Sequence, residues 1–257
     1  MNNPRIPSVS VRNMTLKAGD PKICVSITGR TRDDILDSCR EIVRARADIV
    51  EWRVDFFKEY TNDFLLKDTL AELRRILGDI PLIFTIRTVE EGGLAEIRLL
   101  DYIRTYRECA RSGLADIFDI EYKIMLQLPR EVVADIRKNA RVIVSKHNFN
   151  STPDLETLID DIIRLQVSGG DIAKLAVMPE DEEDAARLIK ASKEIIAHYT
   201  TTPIITISMG ALGIDSRAKC VETGSCITFG CVGRPSAPGQ LPIQQLRDAV
   251  NRYKFVK

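Results

Sequence analysis

Short apolar segments rich in β-branched residues alternate with longer amphipathic segments along the chain, and this alternation limits the possible folds more than any other feature. Eight strand-like segments lie at positions 22–27, 48–54, 82–86, 117–120, 142–145, 172–176, 204–207 and 227–229. The helical patterns lie at 32–45, 63–77, 96–112, 129–139, 154–168, 181–198, 211–222 and 241–253, where apolar residues recur every three or four positions. Eight β-then-α units in 257 residues predict an α/β protein with a closed parallel barrel, the (β/α)8 or TIM-barrel fold.

A doubly wound open sheet is the competing architecture, because it shows the same alternation. Such a sheet usually carries a glycine-rich phosphate loop after an early strand, and neither GxGxxG nor GxxxxGK[ST] occurs in the sequence. Before the first strand, positions 9–16 alternate weakly and are consistent with a short β-hairpin that closes the bottom of the barrel. We find no internal repeat and no linker, so residues 1–257 are expected to form one barrel domain.

Charge and composition limit the kind of partner. Lys plus Arg and Asp plus Glu both number 37, so there is no basic excess of the kind nucleic-acid-binding proteins show, and a small-molecule substrate is expected. Six cysteines without a CxxC pair and only two histidines predict no metal site and free, buried thiols. The N-terminus lacks a signal-peptide core and no apolar run reaches about 18 residues, which predicts a cytoplasmic protein without a membrane span.

Lys174 is the sharpest departure from an apolar strand, since it stands inside IAKLAV at 172–177. Lysine is almost never fully buried unless it is paired. For an arbitrary strand lysine, a structural ion pair is the more common explanation. Inside a barrel, burial favours the neutral amine near pH 7 and so predicts a nucleophile.

His147 lies at the end of the preceding strand, in VIVSKHNF. A lone histidine is most often a hydrogen-bonded loop residue. Side chains alternate along a strand, so His147 shares a face with Ile143 and Ser145. A base and a nucleophile at the ends of adjacent strands are the parts that Schiff-base chemistry with proton transfer requires.

Charged residues also follow the strand period in EWRVD, where Glu51, Arg53 and Asp55 occupy alternate positions. Such a stripe is consistent with the exposed face of an edge strand. In a closed barrel the helix layer takes the apolar set, so Glu51 and Arg53 should point into the lumen. Arg87 and the acidic residues of FDIEY repeat the arrangement on the third and fourth strands. Guanidinium groups beside carboxylates suit a ligand with hydroxyls and a carboxylate.

The segment GRPSAPGQ at 233–240 separates the last strand from the last helix. Its glycines and prolines are consistent with a simple turn. They are equally consistent with a mobile lid that presents Ser236 and Gln240 to a substrate.

These residues lie in motifs that resemble those of the type I 3-dehydroquinate dehydratases. The motifs are EWRVD at 51–55, FTIRTVEEGG at 84–93, SKHNF at 145–149, IAKLAVMP at 172–179, SMG at 208–210 and SAPGQ at 236–240. They stand in the order of that family, from about residue 22 onwards. The resemblance implies a (β/α)8 lyase, commonly a homodimer, that acts at the third step of the shikimate pathway without a metal or cofactor.

The resemblance also implies a role for each matching residue. Lys174 would form the Schiff base, His147 would be the general acid and base, and Glu91 would support the histidine. The substrate-binding residues would be Ser26, Glu51, Arg53, Arg87, Arg217, Ser236 and Gln240, and Met209 and Phe229 would form pocket walls. Ile86 departs from the family, which often has an aromatic residue there, and the residues around His147 vary. The first twenty residues match nothing in the family.

In the implied reaction, Lys174 forms an imine at C3 of 3-dehydroquinate, His147 removes a proton from C2, and the C1 hydroxyl leaves. A class I aldolase is the closest enzymatic alternative, but it typically needs a phosphate site after the seventh and eighth strands, and GRPSAPGQ lacks that form. A barrel kept only as a binding or scaffold module is the other alternative. It would be expected to lack the lysine or the histidine.

Overall fold

A computed structural model describes residues 6–254 of the chain. Strands β1 (Ser8–Val11) and β2 (Met14–Lys17) form an antiparallel hairpin, which confirms the hairpin predicted for positions 9–16. The hairpin turn places Arg12 at a φ of 49°. Leu16 is fully buried in the cluster of side chains that fills the barrel lumen, so the hairpin closes one end of the barrel.

Eight further strands form one parallel sheet. They are β3 (Lys22–Ile27), β4 (Ile49–Arg53), β5 (Leu82–Thr85), β6 (Ile117–Glu121), β7 (Arg141–Asn148), β8 (Ile172–Val177), β9 (Ile204–Ser208) and β10 (Ile227–Gly230). Their order in the sheet is β10-β3-β4-β5-β6-β7-β8-β9. Near the start of β10, a parallel bridge between Ile204 and Ser225 brings the two ends of the sheet together. The sheet is thus a nearly closed barrel, and the predicted (β/α)8 fold is confirmed.

Helices connect the strands and cover the outside of the sheet. They are α1 (Arg32–Arg44), α2 (Asp63–Leu77), α3 (Leu99–Ser112), α4 (Tyr122–Met125), α5 (Arg130–Arg137), α6 (Leu155–Val167), α7 (Glu182–Glu194), α8 (Ile214–Ala218), α9 (Cys220–Thr223) and α10 (Ile243–Lys254). Within residues 6–254, no helix is long and apolar enough to cross a membrane.

Two helical segments differ from the sequence pattern. The helix predicted at 211–222 is split into α8 and α9, and it starts later because the chain after β9 first turns back on itself. At Gly213, a Cβ atom would lie 2.0 Å from the Ser208 carbonyl oxygen, so only glycine fits this turn. The helix predicted at 181–198 is α7 followed by a π-helical turn at Ile195–Tyr199.

Two apolar cores lie on the two sides of the sheet. The larger one, between strands and helices, contains the aromatic side chains of Trp52, Phe84 and Phe118. The smaller one fills the lower lumen with one inward residue from each strand: Cys24, Ile49, Ile83, Ile117, Ile143, Ile172, Ile205 and Ile227. All six cysteines are buried and free, as predicted. Because the floor of the lumen is apolar and packed, polar groups that point inward can lie only above it.

Leu16→Ala tests whether the hairpin closes the barrel as a packed plug. Removal of a fully buried leucine side chain should lower the free energy of unfolding by about 2–5 kcal/mol, measured by urea denaturation. Thr15→Ala is the matched control, because Thr15 is exposed on the same strand, and it should change stability by no more than about 0.5 kcal/mol. Equal, small effects of the two changes would contradict the packed plug.

Candidate active site

A polar layer lies directly above the apolar floor of the lumen. Side chains alternate along a strand, so the residue two positions after each inward floor residue also points inward. On six adjacent strands, β3 to β8, these residues are Ser26, Glu51, Thr85, Asp119, Ser145 and Lys174. The layer lies toward the C-terminal ends of the strands, where barrel enzymes have their active sites.

Lys174 is buried in this layer, with 4% of its surface exposed. Its Nζ donates to Asp119 Oδ2 at 3.0 Å and lies 3.9 Å from Glu51 Oε1. The same nitrogen is 4.8 Å from the centre of the Phe229 ring. The lysine therefore has the ion pair that burial requires, and it also lines a cavity; its role as a nucleophile stays a prediction.

Asp119 and Arg87 are the centre of the hydrogen-bond network. Arg87 donates to Asp119 Oδ1 at 2.7 Å and to Ser145 Oγ at 2.9 Å. The Ser145 hydroxyl donates to the same Asp119 oxygen at 2.6 Å. Burial raises the pKa of Asp119, but the charges of Arg87 and Lys174 outweigh burial and hold that pKa well below its usual range. Asp119 is therefore an anion at neutral pH.

His147 and Glu91 form a second buried pair. The Nδ1 atom of His147 lies 2.8 Å from Glu91 Oε2, and its backbone N–H donates to the same oxygen at 3.1 Å. Burial raises the pKa of Glu91 to about 8, although Arg87 opposes the shift. Burial and the charges of Arg87 and Lys174 lower the pKa of His147 well below its usual value. Both shifts favour an uncharged pair near neutral pH.

The loop that carries Glu91 is fixed by Asp55, which is fully buried. Asp55 accepts two hydrogen bonds from Arg53, both at 2.8 Å. It also accepts the backbone N–H of Leu94 at 3.1 Å. One carboxylate thus positions both a cavity-lining guanidinium group and the segment that holds the partner of His147.

Arg217, from α8, lies on the opposite wall of the cavity and is 2% exposed. Its NH2 group donates to the Pro238 carbonyl at 2.9 Å. Its Nε has no hydrogen-bond partner within the part of the chain that the structure describes. Burial lowers the pKa of Arg217 to about 10, so it stays cationic at neutral pH. A buried cation whose only hydrogen-bond acceptor in the described chain is a carbonyl favours binding of an anion.

The segment at 236–240 lies over the cavity. Gln240 Nε2 donates to Ser236 Oγ at 2.9 Å, and Ser236 N–H donates to Gln240 Oε1 at 2.8 Å. The Pro238 carbonyl also accepts the backbone N–H of Gly210 at 3.2 Å. Ser236 and Gln240 therefore bond to one another in this arrangement, and the mobility of the segment stays a prediction.

The twelve side chains named from the sequence all line one cavity of about 140 Å³. They are Ser26, Glu51, Arg53, Arg87, Glu91, His147, Lys174, Met209, Arg217, Phe229, Ser236 and Gln240. Their placement together agrees with the predicted site, and their individual roles stay predictions. Across residues 6–254, no group of three or more histidine, cysteine, aspartate or glutamate side chains is arranged to hold a metal ion.

The sequence analysis gave no site role to several residues that the structure brings to the cavity or next to it. Asp119 does not line the cavity but contacts Lys174, which does; the sequence analysis placed the acidic residues of FDIEY in the lumen and gave Asp119 no role. Phe149 lines the cavity, with its ring 6.4 Å from that of His147 and nearly parallel to it. The Pro238 carbonyl is a backbone group, and no sequence signal marks a backbone acceptor.

Comparison with protein families matches residues 23–254 to the model described as type I 3-dehydroquinase. A protein of Clostridioides difficile (strain 630) named 3-dehydroquinate dehydratase is 41% identical, over 95% of this chain and 96% of that protein. One of Klebsiella pneumoniae (strain 342) with the same name is also 41% identical, over 95% of this chain and 98% of its own length.

Solved structures give the same result. A 1.95 Å crystal structure of a type I 3-dehydroquinate dehydratase from Clostridium difficile, with covalently modified comenic acid, superposes with a TM-score of 0.90. It is 38% identical and covers 97% of this chain and 98% of its own. The 3-dehydroquinate dehydratase of Geobacillus kaustophilus HTA426 also gives a TM-score of 0.90, at 33% identity, with 97% and 98% of the two chains covered.

Glu91→Gln tests the raised pKa of Glu91. A carboxyl group whose pKa is raised by folding stabilises the fold below its unfolded pKa, near 4.5, and that contribution is lost as the pH rises toward about 8. The stability of the unaltered protein relative to Glu91→Gln should therefore fall between pH 5 and pH 8. A fall of about 3–4 kcal/mol is expected over this range, since the pKa rises from 4.5 to about 8 and one pKa unit equals about 1.4 kcal/mol. Urea denaturation across this pH range measures it.

Glu90→Gln is the matched control for this titration, because Glu90 is the neighbouring glutamate and its side chain is 67% exposed. Its stability difference from the unaltered protein should stay within a few tenths of a kcal/mol across the same pH range. A difference for Glu91→Gln that is constant or grows with pH would show that the carboxyl group is not held in its neutral form.

Proposed function

Because the chain belongs to the type I 3-dehydroquinase family of lyases, which dehydrate 3-dehydroquinate in the shikimate pathway, we propose that its reaction runs through a Schiff base on Lys174, with His147 as the general acid and base. The observation that carries this proposal is the geometry around Lys174. Lys174 lines the cavity, and the imidazole of His147 lines it from the end of the neighbouring strand.

Lys174 supplies the nucleophile. Its nitrogen loses a proton, attacks the C3 ketone, and forms a carbinolamine. Departure of the C3 oxygen as water leaves a protonated imine, so the ammonium ion and the ketone become an iminium ion and one water molecule. The iminium carbon withdraws electrons from C2 and makes the C2 proton easier to remove. Covalent catalysis thereby divides one difficult elimination into easier steps.

His147 moves the protons. Its imidazole is uncharged near neutral pH because burial and nearby cations lower its pKa, so it is available to accept the C2 proton. Nδ1 donates to Glu91 Oε2, 2.8 Å away, which orients the ring and leaves Nε2 free to take that proton. The same proton then goes to the C1 hydroxyl as it leaves. Hydrolysis of the second iminium releases 3-dehydroshikimate and restores the lysine.

Substrate orientation comes from the opposite sides of the cavity. Arg217 is suited to the substrate carboxylate, because it is a buried cation bonded only to the Pro238 carbonyl within residues 6–254. Glu51, Arg53 and Arg87 form a hydrogen-bonding surface for the ring hydroxyls. Ser26, Ser236 and Gln240 add further hydrogen bonds at the edges, and Met209 and Phe229 supply apolar contact.

The relatives support covalent chemistry in this family. The crystal structure from Clostridium difficile carries covalently modified comenic acid. No specific observation favours an aldolase or a scaffold, since the cavity contains both the lysine and the histidine. A homodimer, a cytoplasmic location and a single domain over residues 1–257 stay predictions.

Lys174→Ala should abolish dehydration of 3-dehydroquinate, measured by the absorbance of the conjugated product, and should abolish borohydride labelling at the same time. Both effects are expected because the variant lacks the only nitrogen proposed to form the imine. Lys146→Ala is the control, since Lys146 lies on β7 and pairs with Asp161 outside the cavity; it should keep turnover and labelling. Substrate-dependent labelling that persists in Lys174→Ala would contradict the assignment.

His147→Ala should slow turnover by about 10²–10⁴-fold, the usual contribution of general acid–base catalysis, while imine formation continues. Adduct trapped by borohydride should therefore build up, as peptide mass mapping would show. His198→Ala provides the comparison, because His198 is exposed at 62% and does not line the cavity. Turnover of His147→Ala within a few-fold of the unaltered enzyme would rule out the role.

A further inference from the structure

We propose that Asp119 is the counter-ion of the Lys174 nitrogen throughout the reaction and thereby sets the pH range in which the imine forms and persists. This inference rests on the Schiff-base chemistry proposed above. It gives a chemical role to a residue whose only other evident function would be structural.

The geometry fixes Asp119 against the reacting nitrogen. The Asp119 side chain is fully buried, and its Oδ2 lies 3.0 Å from Lys174 Nζ. The other carboxylate oxygen accepts from Arg87 at 2.7 Å and from Ser145 at 2.6 Å. With Oδ1 held by two donors from neighbouring strands, Oδ2 can point only at the lysine.

The charge state of Asp119 excludes a role as the base that deprotonates Lys174. Arg87 and Lys174 hold the pKa of Asp119 well below its usual range, against the effect of burial. A carboxylate of this kind is ionised at neutral pH. Its effect on the nitrogen is therefore electrostatic.

The nitrogen is positively charged before and after imine formation. The ammonium ion and the ketone give an iminium ion and water, so a cation of the same charge faces Asp119 at both ends of this step. Removal of the C2 proton by His147 makes the nitrogen neutral in the enamine, and departure of the C1 hydroxyl with that proton restores the iminium ion. Asp119 thus stabilises the resting lysine and both iminium ions, whereas the neutral amine, the carbinolamine and the enamine lie outside its effect.

Other groups face the nitrogen, but each acts more weakly. Glu51 on β4 is 3.9 Å away, and its two oxygens already accept hydrogen bonds from Ser26 and Thr85. Cys24 on β3 is uncharged, because burial raises the pKa of its thiol well above the usual value.

Three further groups complete the surroundings of the nitrogen. Arg87 on the β5 side is a fixed cation that Asp119 already pairs. His147 on β7 is neutral near pH 7, and Phe229 on β10 offers only its ring face. Asp119 is therefore the dominant negative charge at the reacting atom.

The test follows the rate at which sodium cyanoborohydride traps the adduct of 3-dehydroquinate, as a function of pH. Trapping requires a neutral amine for attack and a protonated imine to accept hydride. The trapping rate plotted against pH is therefore bell-shaped. Deprotonation of the ammonium ion determines its acidic limb, and deprotonation of the iminium ion determines its alkaline limb. Asp119→Asn keeps the shape of the side chain and removes its charge.

Both limbs should move to lower pH together in Asp119→Asn, by about 1–3 units, the usual effect of an opposite charge within 4–6 Å. A merely structural role would lower the height of the bell and leave both limbs in place. Glu121→Gln is the matched control, because Glu121 lies on the same strand and bonds Arg87 but does not touch Lys174. It should move neither limb by more than about 0.5 unit.

The outcomes separate this inference from the proposed function. If the unaltered enzyme is not labelled at Lys174, the Schiff-base proposal itself is wrong. If it is labelled and the limbs of Asp119→Asn coincide with those of the unaltered enzyme, the counter-ion role is overturned. Equal shifts in Asp119→Asn and Glu121→Gln would also overturn it, since they would show a general effect of lumen charge.

A second measurement covers the case in which Asp119→Asn does not fold. In the unaltered protein labelled with ¹³C at aspartate carboxyl groups, one resonance should titrate with the midpoint of the acidic limb, because Asp119 senses the loss of charge on the nitrogen. That titration should be missing in Lys174→Ala. If no aspartate resonance moves at that midpoint, the inference is overturned.

Discussion

Desolvated charge in the barrel lumen is the constraint on which the rest of the structure depends. An ion moved from water into a protein interior costs several kcal/mol unless a partner of opposite charge and further hydrogen bonds replace the water. Lys174 and Arg87 meet this requirement through one carboxylate, Asp119. The isoleucine floor below them keeps water out from one end, and the loop at 236–240 covers the other. Ion pairs within the polar layer thus offset the free-energy cost of burying its charges inside an apolar barrel.

Two buried guanidinium groups, those of Arg87 and Arg217, meet the same constraint in different ways. Arg87 is surrounded by the carboxylates of Asp119, Glu121 and Glu91, at 2.7, 3.2 and 3.6 Å. Arg217 is equally buried, yet among residues 6–254 its only acceptor is a backbone carbonyl. The charge of Arg87 is therefore already balanced within the protein, whereas Arg217 still has donors for an anion. A bound anion would supply the opposite charge that the described residues do not place beside Arg217.

The alternation of side chains along the strands explains how much of the site could be predicted from the sequence. Period-two alternation placed Glu51, Arg53 and the acidic residues of FDIEY in the lumen, the eight β-then-α units predicted the barrel, and weak alternation at 9–16 predicted the hairpin. The contact between Asp119 and Lys174 was not predicted, because a pattern that shows which face a side chain occupies does not give the distance to a residue on another strand. Side chains do not alternate regularly in loops. The hydrogen bond between Arg217 and the Pro238 carbonyl therefore depends on tertiary packing alone. The late start of α8 was missed because a helical period does not reveal that the chain must first turn back at Gly213.

The position of Pro238 connects the covering loop to the anion site. Its carbonyl accepts hydrogen bonds from Gly210 N–H and from Arg217 at once. At Gly239, a φ of 78° and a Cβ position 2.1 Å from the Gly210 carbonyl oxygen leave room only for glycine, so this approach of loop to barrel is built into the backbone. The carbonyl carries a partial negative charge and satisfies one donor of Arg217, which lowers the cost of burying that cation. A substrate carboxylate would supply a full charge to the same guanidinium group without displacing the carbonyl, provided it binds through the remaining donors. Closure of the loop and binding of the anion would then stabilise the same residue, and each would favour the other.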